Sequence, residues 1–452
     1  MTVLKRSLRV FGTLLLTLSA VTPASSVFVI VPGVILAAGT GAFWAMIVGA
    51  LLSVPTAYVY AELSSAFPIA GGEYSMVGRT LGRDAGMAVM WLNAFSSLLT
   101  PAAFGLGAGA FIGAVIPGLD SLTVAIGIIL VTTVLGILHI RTNAWVTGLF
   151  LLVELLALAA ITALGLWNAK RSLSEIAFHP VWLDHGALHA TPVAIIGLAT
   201  SVAIFAYNGY GSAVYFAEEM YEVRTAVART ILWALVITVV TELVPVTAAL
   251  MGAPDLKSFF ASENPFSDFA LASGGKIFDA AVSIGIALAI INAVLATVLQ
   301  NARVLYRTGH DGTWHGSLNK AFVATHPRFQ SPWIATLIAG LASIAMCFLG
   351  LDLILMLTGT GIVLVYIAIC AAAIAGRRNN TSTSALYRMP LYPFWPVLGL
   401  AALGYVLYTS ALDPDLGRPS LIVNGIIVIL SIAYYRMALK RKGEWKLSEP
   451  DD

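Results

Sequence analysis

Long apolar stretches recur from end to end of the chain, separated only by short charged, proline-rich or glycine-rich punctuation. A hydrocarbon core roughly 30 Å thick needs about 20 such residues per helical crossing, so a sequence of this pattern predicts a membrane crossed many times. Composition agrees. Of 452 residues, 59% are hydrophobic and 11% charged, against about 25% charged in a soluble domain whose surface must be wetted. A net charge of +2 supplies no basic stripe for nucleic acid. Cys347 and Cys370 sit inside apolar runs without metal-type spacing and read as small buried hydrophobes. The histidines fall at span ends or in loops, so neither a metal site nor a catalytic cluster is expected and no cofactor is implied; the reading is of a non-enzyme.

Twelve spans are predicted, at roughly 11–38, 42–66, 86–115, 121–139, 144–167, 193–219, 229–252, 277–300, 332–350, 353–376, 391–411 and 419–437. The stretches between them are short loops. Lys5, Arg6 and Arg9 ahead of the first run imitate a signal peptide, but the run continues to about Ala38, which predicts a retained first helix. With the N-terminus cytoplasmic, twelve crossings place 20 of the 25 Lys and Arg inside and leave only Lys170, Arg171, Lys257, Lys276 and Arg418 outside. That split satisfies the positive-inside rule. The expected location is the cytoplasmic (inner) membrane, with both termini cytoplasmic.

Two spans carry helix-weakening residues in matching positions, as the first helices of two five-helix halves. The first contains Val21-Thr22-Pro23-Ala24-Ser25-Ser26-Val27-Phe28, and the sixth Phe205-Ala206-Tyr207-Asn208-Gly209-Tyr210-Gly211. Proline removes a donor and crowds the preceding turn, and glycine lowers helix stability. Irregular backbone at mid-membrane depth is tolerated only where protein or a cavity satisfies it. Paired interruptions in two halves are the sequence pointer to a transporter site; ordinary kinks are the alternative.

The run Tyr60-Ala61-Glu62-Leu63-Ser64-Ser65-Ala66-Phe67-Pro68-Ile69-Ala70-Gly71-Gly72-Glu73-Tyr74 resembles a signature of the amino acid–polyamine–organocation superfamily of permeases. So do Asn301-Ala302-Arg303-Val304-Leu305-Tyr306-Arg307 with Asp311-Gly312, and Ala217-Glu218-Glu219. The resemblance covers essentially the whole chain. It implies an all-α membrane fold with a 5+5 inverted-repeat core, discontinuous helices one and six, and two peripheral helices. On that basis the single permease domain spans 1–452, with a first repeat at about 10–167, a second at about 193–376, and peripheral helices at about 391–437. It further implies that Ala24, Ser25 and Ser26, with Val27 beside them, receive a substrate carboxylate, that Phe205 lids the substrate, and that Ala206, Tyr207, Asn208 and Gly209 meet its amino group. Three departures stand out. The usual Gly-Ser-Gly break is Ala24-Ser25-Ser26 here; Gly211 replaces an acid found in some cation-preferring members; and Glu154 stands where several proton-coupled members carry a lysine.

Glu154, near the middle of the fifth span, must face a cavity or a partner, because a carboxylate at that depth costs a few kcal/mol. It is the expected carrier of a coupling proton; sodium coordination and a structural hydrogen bond are the alternatives. Glu242 is read as a structural hydrogen-bonding acid and Glu62 as a gate or scaffold group that meets an arginine. Asn292 and Thr358 are candidate pocket polars, or else glue between helices. The function expected is transport of an amino acid or related amine by alternating access, with symport of protons preferred over sodium. A polyamine or alkylamine permease or exchanger is the alternative within transport, and a membrane-embedded enzyme or sensor the alternative outside it.

Overall fold

The computed structural model describes residues 6–115, 120–262, 264–412, 414, 417–440, 445 and 447, with backbone alone at 109–115, 201, 352, 355 and 356. Lys5, Arg441, Lys442 and Lys446, counted above as cytoplasmic charges, lie outside the described residues.

The principal helices are α1 (Val10–Val21), α2 (Ala42–Ala66), α3 (Arg83–Val115), α4 (Ser121–Gly136), α5 (Ile140–Trp167), α6 (Val193–Ala206), α7 (Val223–Gly252), α8 (Pro265–His310), α9 (Trp333–Met346), α10 (Leu351–Arg378), α11 (Phe394–Leu412) and α12 (Gly417–Tyr434). Among the described residues, nine helical stretches are long and apolar enough to cross a membrane; α1 and α2 fall together in one of them, Val10–Ala66, while α4 and α9 are shorter apolar helices. The chain is therefore a multi-pass membrane protein. Its side chains are distributed accordingly. Helix α5 turns Leu149, Leu152 and Leu156 outward and buries Leu151, Glu154 and Leu158, the reverse of a water-facing helix.

The first span is not one helix. After α1 the chain passes through Thr22, runs on as a short turn (Pro23–Ser25), widens into a π-helix (Ser26–Ile30), and resumes as an α-helix (Val31–Ala38). The wide turn has a local cause. Pro32 has no N–H for the carbonyl four residues back, and Val31 N–H reaches Ser26 O, one residue further than in an α-helix.

Three other segments depart from the sequence reading. The 168–192 loop holds a helix (Leu173–Phe178) and an antiparallel hairpin of β1 (Val181–Asp184) and β2 (Ala187–Ala190), so the fold is not purely helical. His185 and Gly186, both at positive φ, form the two-residue turn that such a hairpin favours. The residues after α2 form a further short helix, Glu73–Thr80. Helix α8 is broken at Gly275 (φ 79, ψ 176), and its second part continues ten residues past the predicted span end at 300, to His310; the arginines there, which look like membrane-boundary charges in sequence, are buried against acids from elsewhere.

Helix α5 packs against α1, α7 and α8 and against the turn at Pro23–Ser25. That arrangement brings the middle of α5 directly behind the interruption of the first span.

Candidate functional site

Thr22 adopts φ 51, ψ 72, a left-handed conformation that a β-branched residue rarely takes. It is held there from both sides: its N–H donates to Leu18 O at 2.8 Å, and its hydroxyl donates to Ser25 Oγ at 2.7 Å. The second interruption follows α6. Tyr207 and Asn208 turn, Gly209 takes φ 115, and the chain continues as a 3-10 helix over Tyr210–Glu219. Gly209 has to be glycine on two counts. Its φ is unfavourable for other residues, and a Cβ there would stand 3.0 Å from Val21 Cα. The two interruptions thus touch, and they are stitched by Ser26, whose hydroxyl donates to Ala206 O at 2.9 Å.

A cavity of about 200 Å³ opens between them, lined by Ser25, Ser26, Phe205, Ala206, Asn208, Gly209 and Thr358 among others. Its lining includes a polar cluster that sequence reasoning missed. Glu73 is buried and accepts from Tyr60 Oη (2.8 Å), Asn93 Nδ2 (2.7 Å) and Tyr215 Oη (2.9 Å to its nearer oxygen). Of the described lining side chains, Glu73 alone is charged. Gln300 Nε2 and Ser96 Oγ line the same space without hydrogen-bond partners. Asn208 is held by Tyr366, whose hydroxyl donates to its Oδ1. The signal for Glu73 was present in the Gly-Gly-Glu-Tyr stretch, but nothing in the sequence placed that stretch against the cavity.

A second set of polar groups lies on the far side of the first interruption. Glu154 Oε1 accepts the N–H of Ala24 at 2.8 Å. Its Oε2 has no partner, nor do either carboxyl oxygen of Glu242, either amide atom of Asn292, or the Tyr207 hydroxyl. Glu154, Glu242, Asn292 and Tyr207 are all fully buried. Of the predicted substrate contacts, Ala24, Val27, Tyr207 and Asn292 therefore do not line the cavity; three of them belong to this second set, and Val27 packs in the apolar core.

Charged signature residues meet at the end of the bundle near the N-terminus. Arg303, wholly buried, donates to both oxygens of Glu219 at 2.7 and 3.2 Å. Arg307 meets Glu218 at 2.7 Å and Asp311 at 3.3 Å, and Tyr74 donates to Asp311 at 2.8 Å. The N–H groups of Ser7 and Leu8 both donate to Glu219 O. Glu62 is held apart from this group, in a two-pronged pair with Arg377 (2.7 and 2.6 Å), and it also accepts Met389 N–H. Bidentate geometry of this kind is the strong form of an ion pair.

Comparison with known proteins gives a consistent result. A family model described as amino acid permease matches residues 8–432. The branched-chain amino acid permease of Bacillus subtilis (strain 168) is 24% identical, the match covering 96% of this chain and 92% of that protein. The serine/threonine exchanger of the same organism is also 24% identical, with 89% of each chain covered. The low-affinity putrescine importer of Escherichia coli (strain K12) is 20% identical over 66% of this chain and 65% of its own length.

Proposed function

The chain belongs to the amino acid permease family, and on that premise we propose that it is a proton-coupled secondary transporter of a small amino acid. The observation that carries this reading is the pair of non-helical turns, at Thr22 and Tyr207–Gly209, stitched together beside one cavity. Twelve spans complete the picture: the apolar stretch Val10–Ala66 divides at Gly39 into two crossings, and α4 and α9 each make one. Residues 10–167 and 193–376 then form two inverted repeats and 391–437 the peripheral pair, in the cytoplasmic membrane with both termini inside.

The substrate carboxylate meets Ser25, since the Ser26 hydroxyl is already given to Ala206 O and its N–H to Thr22 O. Ser25 Oγ accepts the Thr22 proton, which leaves its own O–H free to donate. The ammonium group turns toward the second interruption at Asn208, under Phe205. A cavity of about 200 Å³ suits a small zwitterion. A diamine is disfavoured: Glu73, the charged group on the cavity, already accepts three donors.

Glu154 carries the coupling proton. As a carboxylate it makes a charge-assisted bond to Ala24 N–H; protonated, it makes a weaker one. Proton occupancy is thereby felt at the substrate-binding turn, and differential bonds of this size correspond to couplings of about 1–3 kcal/mol. Counterflow of labelled amino acids and amines in proteoliposomes, with and without proton and sodium gradients, tests the assignment. Accumulation should follow an inward proton gradient; accumulation that follows sodium alone would overturn it.

A further inference from the structure

Glu242 was expected to be a structural hydrogen-bonded acid, yet neither of its oxygens has a partner, although the side chain is fully buried. Leaving one buried polar atom unpaired is costly. Here Glu154 Oε2, both Glu242 oxygens, both amide atoms of Asn292 and the Tyr207 hydroxyl are all unpaired. Glu154 and Glu242 lie within electrostatic reach of each other. Asn292 faces Glu154, and Tyr207 faces Glu242, without reaching hydrogen-bonding geometry. A structural network would have closed these bonds; a site that changes its occupancy keeps them open.

The charge content identifies the occupant. Glu154 from α5 and Tyr207 from the turn after α6 are the titratable groups that face Glu242, and Ser26 is its polar neighbour. No Lys, Arg or His among the described residues stands beside either carboxyl. Two negative charges in one uncompensated low-dielectric pocket repel each other and cannot both persist. Mutual repulsion in such a pocket favours the form in which at least one of the two carries a proton.

We propose that Glu154 and Glu242 form one two-carboxyl proton site, completed by Asn292 and Tyr207, that exchanges its proton with the central cavity past Ser26. Ser26 lines the cavity and also neighbours Glu242, so one side chain separates the two compartments. The inference rests on the proton-coupled reading and adds Glu242 to it as a second member. The proton is bound by one carboxyl oxygen and released from one, with no change of covalent bonds elsewhere. Because the two acids titrate as a unit, their pH dependence belongs to the pair.

The test measures proton movement per substrate, with a trapped pH-sensitive dye, and the pH profile of uptake in proteoliposomes. The proteins are wild type, Glu242→Gln, Glu154→Gln and the double variant. Either single variant should flatten the pH profile and reduce proton movement per substrate at least tenfold, and the double should be no worse than either single. If Glu154→Gln loses coupling while Glu242→Gln keeps the wild-type ratio, the two-carboxyl site is overturned and the proton role of Glu154 survives. If both singles keep the wild-type ratio, the proton-coupled reading fails as well. Should Glu242→Gln not purify as a monodisperse protein, Glu242→Asp and Tyr207→Phe carry the test. Both should displace the pH profile, and unchanged profiles in both overturn the proposal.

Discussion

The N–H of Ala24 donates to Glu154 Oε1 at 2.8 Å, joining the broken turn of the first span to the middle of α5. The bond separates two roles that substitutions can tell apart. Glu154→Gln retains a carbonyl to accept the N–H; Glu154→Leu leaves it unpaired, at a cost of about 1–3 kcal/mol. Thermal unfolding in detergent should find the Gln variant near wild type and the Leu variant less stable. Equal losses in the two would show that the bond contributes nothing.

Gly209→Ala should be severely impaired. The left-handed φ costs about 1–2 kcal/mol for a residue with a Cβ, and the added carbon would press on Val21 Cα at 3.0 Å. Initial uptake rates are expected to fall at least tenfold while the protein still inserts in the membrane. Activity within twofold of wild type would contradict the close approach of the two interruptions.

The first interruption was legible in sequence because Pro23 and the two serines after it are hard to accommodate in a continuous helix, and the second because Asn208 and two glycines follow Phe205. What faces which way was not. Ala24 and Tyr207 sit in the interrupted segments but point away from the cavity, since a residue's direction there depends on the left-handed turns at Thr22 and Gly209. Thr22 itself gave no warning, being a β-branched residue in a conformation usually reserved for glycine. Glu73 and Glu242 were visible as acids, but their surroundings come from helices far apart in the chain. That Arg303 and Arg307 are buried in α8 was not legible, because they look like boundary charges until Glu219 and Glu218 are brought against them.

Arg303→Met should be more damaging than the loss of the pair. Removing one partner of a buried ion pair typically costs about 3–5 kcal/mol, whereas replacing both by apolar groups is often far milder. Thermal unfolding of Arg303→Met, Glu219→Met and the double variant should show partial recovery in the double. Additive losses would argue that the two side chains act independently.

Glu73→Gln should reduce uptake by about one order of magnitude, because three donors converge on a carboxylate that the amide only half replaces. Glu73→Asp, which keeps the charge, should retain more activity than the Gln variant. The reverse ranking in initial-rate assays would separate the charge of Glu73 from its role.

The orientation is open to chemical labelling. In a background with Cys347 and Cys370 replaced, Lys170→Cys should react with an impermeant maleimide added outside intact cells, and Arg378→Cys only after the membrane is opened. Labelling of both from outside would break the twelve-span arrangement.

Ser26 bonds Ala206, and Gly209 rests on Val21, so neither interruption can shift without dragging the other. For the transport cycle proposed above, that linkage would make the two turns move as a single unit, so that substrate would cross in discrete steps and not through an open channel.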